Sequence, residues 1–122
     1  LHIFIEALKE KKVAVYLIGA VTITDESWVS GYATNVHDIV HKHGGKYLSR
    51  SGNITQMEGD PDDISLIALV EFPSMEAAKG FINDPDYEAF RQSRMKGSIS
   101  NVHIIDDTDA AGTIPYLKPS SP

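Results

Sequence analysis

Residues 13–23 read Val13-Ala14-Val15-Tyr16-Leu17-Ile18-Gly19-Ala20-Val21-Thr22-Ile23, and both alternating sides of that stretch are apolar. As a strand, Val13, Val15, Leu17, Val21 and Ile23 point one way and Ala14, Tyr16, Ile18 and Ala20 the other. Residues 64–72 repeat the pattern. There Leu66, Ala68, Val70 and Phe72 share one face, and Ile67, Leu69 and Glu71 share the opposite one. An antiparallel sheet with one wet face alternates apolar and polar residues, so these two strands belong to a sheet covered on both sides.

Outward from these strands, the spacing predicts a helix over 25–43. Asp25 or Thr24 caps it, Trp28, Tyr32, Val36, Ile39, Val40 and His43 make its apolar face, and Gly44-Gly45 ends it. Two short strands, 46–50 and 54–58, follow around Ser51-Gly52-Asn53, and then an acidic loop, Gly59-Asp60-Pro61-Asp62-Asp63. After the 64–72 strand, Ser74 caps a helix carrying Met75, Ala78, Phe81 and Ile82. Asp84-Pro85 starts another, on which Tyr87, Phe90 and Arg94 share a face. The last strand is expected near 100–105.

The main order is β-α-β-β-α-β, the α+β arrangement of ferredoxin-like folds, with both helical layers on one face of the sheet. A short arm cannot cover the other face, but the sheet of a second copy can, and two-fold pairing is the commonest closed symmetry. The expectation is a homodimer in which two sheets face each other as a dimeric α+β barrel. Residues 13–106 form its domain, 1–12 an N-terminal extension and 107–122 a C-terminal tail.

Composition narrows the function. The chain has 122 residues, enough for one domain with its own core. It has no cysteine, which removes disulfides, thiolate metal sites and thiol nucleophiles. With Asp+Glu 17 against Lys+Arg 11, its net charge of −6 disfavours nucleic acid as a partner. Lys9, Lys11 and Lys12 before an apolar run resemble a signal peptide, but the run is too short to span a bilayer and leads into a helix start. The strand reading is preferred, no membrane partner is expected, and a cytoplasmic location is. The opening at Leu1 rather than Met reads as a trimmed end.

Several segments resemble one family in order. They are His43-Gly44-Gly45-Lys46-Tyr47-Leu48-Ser49-Arg50-Ser51-Gly52, Met57-Glu58-Gly59-Asp60, Val70-Glu71-Phe72-Pro73-Ser74, Ala77-Ala78, and Asp84-Pro85-Asp86-Tyr87 leading into Arg91. Together, from Tyr16 to Ile105, they resemble the family called domain of unknown function 1330. That resemblance implies the dimeric α+β barrel superfamily, whose members include cofactor-free monooxygenases, isomerases, haem enzymes and small-ligand sensors. Pro61 to Ser65 lack the aromatic and basic residues the family usually carries before the third strand, and both terminal extensions lie outside its core.

The expected site is a pocket between sheet and helices that binds a small organic acid or aromatic molecule, lined by Tyr32, Arg50, Glu71 and Arg91. Glu71 stands out as a carboxylate in an apolar strand, where it is costly unless paired or functional, and is the candidate catalytic base. The plain reading, that it reaches water at the strand end or caps the Ser74 helix, is the favoured one. Arg50, Arg91 and Arg94 can each hold a carboxylate, and Arg50 and Arg91 are carried forward, with surface ion pairing as the plain alternative. The resemblance also places an arginine at Arg50. Tyr32 faces the core, where its hydroxyl needs a partner.

His37 and His41 share a helix side while His43 turns away, so no metal site is expected, and the acidic loop does not match a calcium loop. No phosphate loop, dinucleotide fingerprint or nucleophile elbow occurs, and no cofactor is expected. A cofactor-independent enzyme and a non-catalytic assembly module remain the two alternatives to a binding protein.

Overall fold

A computed structural model describes residues 14–119 of the chain. β1 (Val15–Ile23), β2 (Lys46–Ser51), β3 (Leu66–Phe72) and β4 (Ser98–Asp106) form a sheet in the order β2-β3-β1-β4. β1 is central and antiparallel to both neighbours, with Val15 opposite Phe72 and Asp106, and Val21 opposite Leu66 and Ser100. α1 (Val29–Lys42) links β1 to β2, while α2 (Met75–Ile82) and α3 (Pro85–Lys96) link β3 to β4. Val15, Leu17, Val70 and Phe72 pack against Val36, Ile39 and Val40 of α1, Ala78 and Phe81 of α2 and Tyr87 of α3. All three helices therefore lie on one face of the sheet, in the expected ferredoxin-like order.

The helix ends follow local chemistry. Asp25 accepts the Ser27 N–H at 2.9 Å and starts a short 3-10 turn, Glu26–Trp28, ahead of α1. Gly44, at φ +76°, reverses the chain after α1 in a conformation that favours glycine. Ser74 caps α2 by accepting from Ala77 N–H, and Asp84 caps α3 by accepting from Asp86 N–H, with Pro85 at the first helical position. The Gly97 carbonyl accepts from Thr24 N–H, Asp25 N–H and the Trp28 indole N–H, tying the start of α1 to the α3–β4 junction.

One expected element is absent. Residues 54–58 are not a strand, and the chain from β2 to β3 is irregular. The Gln56 side chain donates to the carbonyls of Glu58 and Asp60 and accepts from Asp62 N–H. These bonds satisfy loop backbone that a ladder would otherwise serve. β2 instead pairs directly with β3, with an irregularity between Tyr47 and Ser49. The expected extension over 1–12 lies outside the described residues. After β4 a short 3-10 turn, Ala110–Gly112, leads to exposed Ile114, Tyr116 and Leu117. Among the described residues, no helix is long and apolar enough to cross a membrane.

The sheet face away from the helices carries Tyr16, Ile18 and Ala20 of β1 and Ile67, Leu69 and Glu71 of β3, with Ile99, Asn101, His103 and Ile105 of β4 beside them. Ile99 is 66% and Ile105 51% exposed. The apolar character of both faces, read from residues 13–23, is present in the fold.

α1 and α3 are joined by charge. Lys42 Nζ lies 2.8 Å and His43 Nε2 2.6 Å from the same oxygen of the buried Asp84, and Lys42 also reaches Asp86 at 3.2 Å. Lys42 foremost, then His43 and the Asp86 N–H, hold the Asp84 carboxyl well below the usual carboxylate range. A carboxyl depressed by folding contributes stability that is present above its unfolded value, near pH 4, and is lost as pH falls through its folded value. Asp84→Asn keeps a capping oxygen but removes the charge. It is expected to be less stable than wild type at neutral pH, with a smaller further loss on acidification, as read by urea unfolding across pH.

Candidate functional site: a cavity over the centre of the sheet

Gly19 sits in the middle of β1 on the helix-facing side, opposite Ala68 of β3 and Val102 of β4. A Cβ added to Gly19 would meet nothing within 4 Å, so the space above it is open. Rings span the helical layer beside this space. Trp28 meets Tyr32 edge-on at 5.3 Å, and Tyr32 meets Tyr87 at 6.0 Å. Tyr87 stacks on Phe81 at 4.4 Å, and Phe81 on Phe72 at 5.7 Å. Bulky rings between helices and small residues at mid-sheet leave a cavity of about 460 Å³. Its walls are mostly apolar, with Leu17, Val21, Val36, Leu66 and Val70 among them. That size and lining are typical of small-molecule sites.

Two polar clusters border the cavity. In the first, the hydroxyls of Tyr32 and Tyr87 share a hydrogen bond at 2.5 Å. Burial, then the neighbouring Tyr87, push the Tyr32 phenol well above its ordinary value, with Arg94 acting in the opposite direction. Tyr32 is thus a neutral O–H group at any physiological pH. Arg94 is only 6% exposed and donates to Ser100 Oγ, while Ser98 Oγ donates to the Arg94 carbonyl.

The second cluster is at the rim. Arg50, which is exposed, places its guanidinium 4.1 Å from the centre of the Tyr47 ring and 3.3 Å from His37 Nδ1. His37 stacks on Tyr47 with ring centres 5.5 Å apart and lies 4.2 Å from His41. Burial pushes the Tyr47 phenol up, and Arg50 opposes that shift.

The structure divides the four residues expected to line one pocket. Tyr32 and Arg50 border the cavity. Glu71 does not. It lies between inward-facing Val70 and Phe72 on β3, so alternation turns it to the opposite sheet face, where its register partners are Tyr16 and Lys46. The cavity lies on the other side of the sheet from this carboxylate. Arg91 also stands apart, in a neighbouring groove of about 360 Å³ with Met95 and Ser100, and its Nη1 is 3.7 Å from Glu88. Ile82, Arg94 and Val102 border both spaces, so the groove and the cavity meet at Arg94.

Arg94, Tyr87, His37 and Tyr47 also border the cavity, although none of them is among the four residues expected to line it. Tyr87 and Arg94 are two helical turns apart on one face of α3, and both are buried. That shared face was visible, but their proximity to Tyr32 required knowing how α1 and α3 cross. His43 pairs with Asp84, while His37 and His41 pack against each other. Among the described residues, no three His, Asp or Glu side chains are grouped to hold a metal ion.

A four-stranded antiparallel sheet with helices on one face and a cavity between the layers defines a ferredoxin-like α+β fold. The chain belongs to the family described as Domain of unknown function (DUF1330), whose profile matches residues 14–108. A search of curated proteins gave no match. Among solved structures, the chain is similar to RPA0582, a protein of unknown function from Rhodopseudomonas palustris, at 15% identity and TM-score 0.63, covering 99% of this chain and 94% of that one. The methylated form of RPA0582 gives TM-score 0.65 at 13% identity, covering 88% and 90%. A point mutant of SnoaB, a cofactor-independent oxygenase from Streptomyces nogalater, aligns at 14% identity and TM-score 0.54, over 75% and 90%. At these identities the likeness concerns the fold.

Two glycines test the geometry. Gly19→Ala adds a methyl group to open space and is expected to leave stability unchanged or raise it by about 0.5–1 kcal/mol. At Gly97 a Cβ would approach Trp28 Cδ1 to 2.3 Å. Gly97→Ala is therefore expected to destabilise by about 1–3 kcal/mol, as overpacking does. Chemical denaturation of both variants reads the contrast.

Proposed function

We propose that this protein binds a small organic molecule, acidic or aromatic, in the cavity over Gly19 and Ala68, and works as a homodimer joined through the open sheet face. The observation that carries the reading is a mostly apolar cavity of about 460 Å³ bordered by a few convergent polar groups, Tyr32, Tyr87, Arg94 and Arg50. Apolar walls supply burial energy, and sparse polar groups orient the ligand. Pairing is supported by Ile18, Ile67, Leu69, Ile99 and Ile105 on the helix-free face, since a large exposed apolar patch marks an association surface. Covering that face with its own copy gives a closed two-fold assembly.

A second reading is a cofactor-independent enzyme. SnoaB, of similar fold, is an oxygenase of that kind, and His37 places an imidazole at the rim of an apolar cavity. Imidazole is the side chain best suited to proton transfer near neutral pH. Glu71 enters either reading only through the sheet face it occupies.

The ligand reading is tested by thermal-shift screening of small aromatic carboxylic acids. A ligand at a hundredfold its Kd should stabilise wild type by about 2.7 kcal/mol. Gly19→Leu, which fills the cavity, should remove the effect, and an unchanged shift in that variant refutes the cavity as the site. Oxygen uptake with the ligands found separates enzyme from binder. Pairing is tested by light scattering at micromolar concentration, where the mass of two chains is expected. Ile99→Lys combined with Ile105→Lys should halve that mass.

A further inference from the structure

Arg94 is a cation placed almost wholly out of water, at 6% exposure. A buried guanidinium without a counter-charge is costly, and its five N–H donors call for acceptors. Among the described residues the ion pairs engage Lys42, His43 and Arg91, and none engages Arg94. The acids of its own helix are committed elsewhere, Asp86 to Lys42 and Glu88 to Arg91. What holds Arg94 is neutral. Ser100 Oγ accepts from its guanidinium, the neutral Tyr32 phenol oxygen stands beside it as a further acceptor, and Ser98 Oγ lies 3.3 Å from Ser100 Oγ. A fixed, charge-unbalanced guanidinium thus faces the point where cavity and groove meet.

A second donor stands beside it. Tyr32 and Tyr87 share one hydrogen bond between two hydroxyls, so one of the two O–H protons remains to be donated. Burial keeps the Tyr32 phenol protonated, which preserves that donor. The rest of the cavity, toward Leu17, Val36 and Leu66, is apolar.

Building on the cavity reading above, we infer that Arg94 and the Tyr32–Tyr87 hydroxyl pair form a carboxylate-binding end, and that the ligand is an apolar acid whose body lies over Gly19 and Ala68. The planar guanidinium fork matches a carboxylate, and the phenolic O–H adds a further bond to its oxygens. Bound there, the carboxylate supplies the counter-charge that Arg94 lacks within the described chain. Arg50 is exposed at the rim, where water screens it, and it attracts acids without selecting them. A plainer role for Arg94, bolting α3 to β4 through Ser100, would give no preference between an acid and its uncharged isostere.

The test compares cinnamate with cinnamamide by calorimetry on the full chain. Wild type should prefer cinnamate by about tenfold or more, the scale of a charge-assisted hydrogen bond. The preference should fall to near unity in Arg94→Gln, with cinnamate losing far more affinity than cinnamamide, and should be retained in larger part in Arg50→Gln. If Arg94→Gln does not fold, Arg94→Lys decides. It keeps the charge without the fork and should lower the preference severalfold. Equal binding of the two probes by wild type, a preference that survives Arg94→Gln, or one carried by Arg50 overturns the assignment and leaves the cavity reading intact. Binding of neither probe overturns both.

Discussion

A glycine at the centre of the sheet decides what the rest of this molecule can do. Gly19 faces the helices from the middle strand, with Ala68 beside it, and neither brings a side chain large enough to fill the layer above. Toward the Val15–Phe72 end of the sheet the helix-facing residues are large. Val15, Leu17, Val70 and Phe72 meet α1 and α2 in a dry core near one end of the sheet. The contrast between a filled end and a bare centre is what turns an ordinary α+β interface into a cavity. Close packing elsewhere keeps the gap from collapsing, because helices anchored at the filled end cannot sink onto the centre without losing their own contacts.

The anchoring is local and redundant. Asp84 gathers Lys42 and His43, so the end of α1 and the start of α3 are fixed at a single carboxylate. The Gly97 carbonyl gathers Thr24, Asp25 and Trp28, so the start of α1 is fixed to the end of α3. α1 and α3 are thereby pinned at opposite ends, and their crossing is set between two clamps. The rings of Trp28, Tyr32, Tyr87 and Phe81 lie along that crossing. The same geometry that spaces the helices also brings Tyr32, Tyr87 and Arg94 together at the cavity.

The two sheet faces have different chemistry. The helix side is a packed core interrupted by the cavity and its neighbouring groove. The other side presents isoleucines from three strands together with Glu71, Lys46 and His103. Charged groups placed within an apolar face favour a partner that can answer them, which suits a specific surface better than a general hydrophobic one. This is the setting in which Glu71 belongs.

Alternation along residues 13–23 and 64–72 determined the strands and the apolar character of both sheet faces, because side-chain direction in a strand is a period-two property that needs no partner to read. Capping at Ser74 and Asp84 and the stop at Gly44 were equally local, since each depends on atoms a few residues away. The same local logic suggested a strand over 54–58 and failed there, because the Gln56 side chain answers the loop backbone in place of a ladder. The candidate site was only half legible. Tyr32 and Arg50 could be named from their positions, but the grouping of Tyr32 with Tyr87 and Arg94 depends on a helix crossing between residues more than fifty apart in the chain. The side of the sheet that Glu71 occupies followed from parity, yet which side holds the cavity was decided by where the helices packed and where Gly19 left room, and no pattern along the chain encodes that.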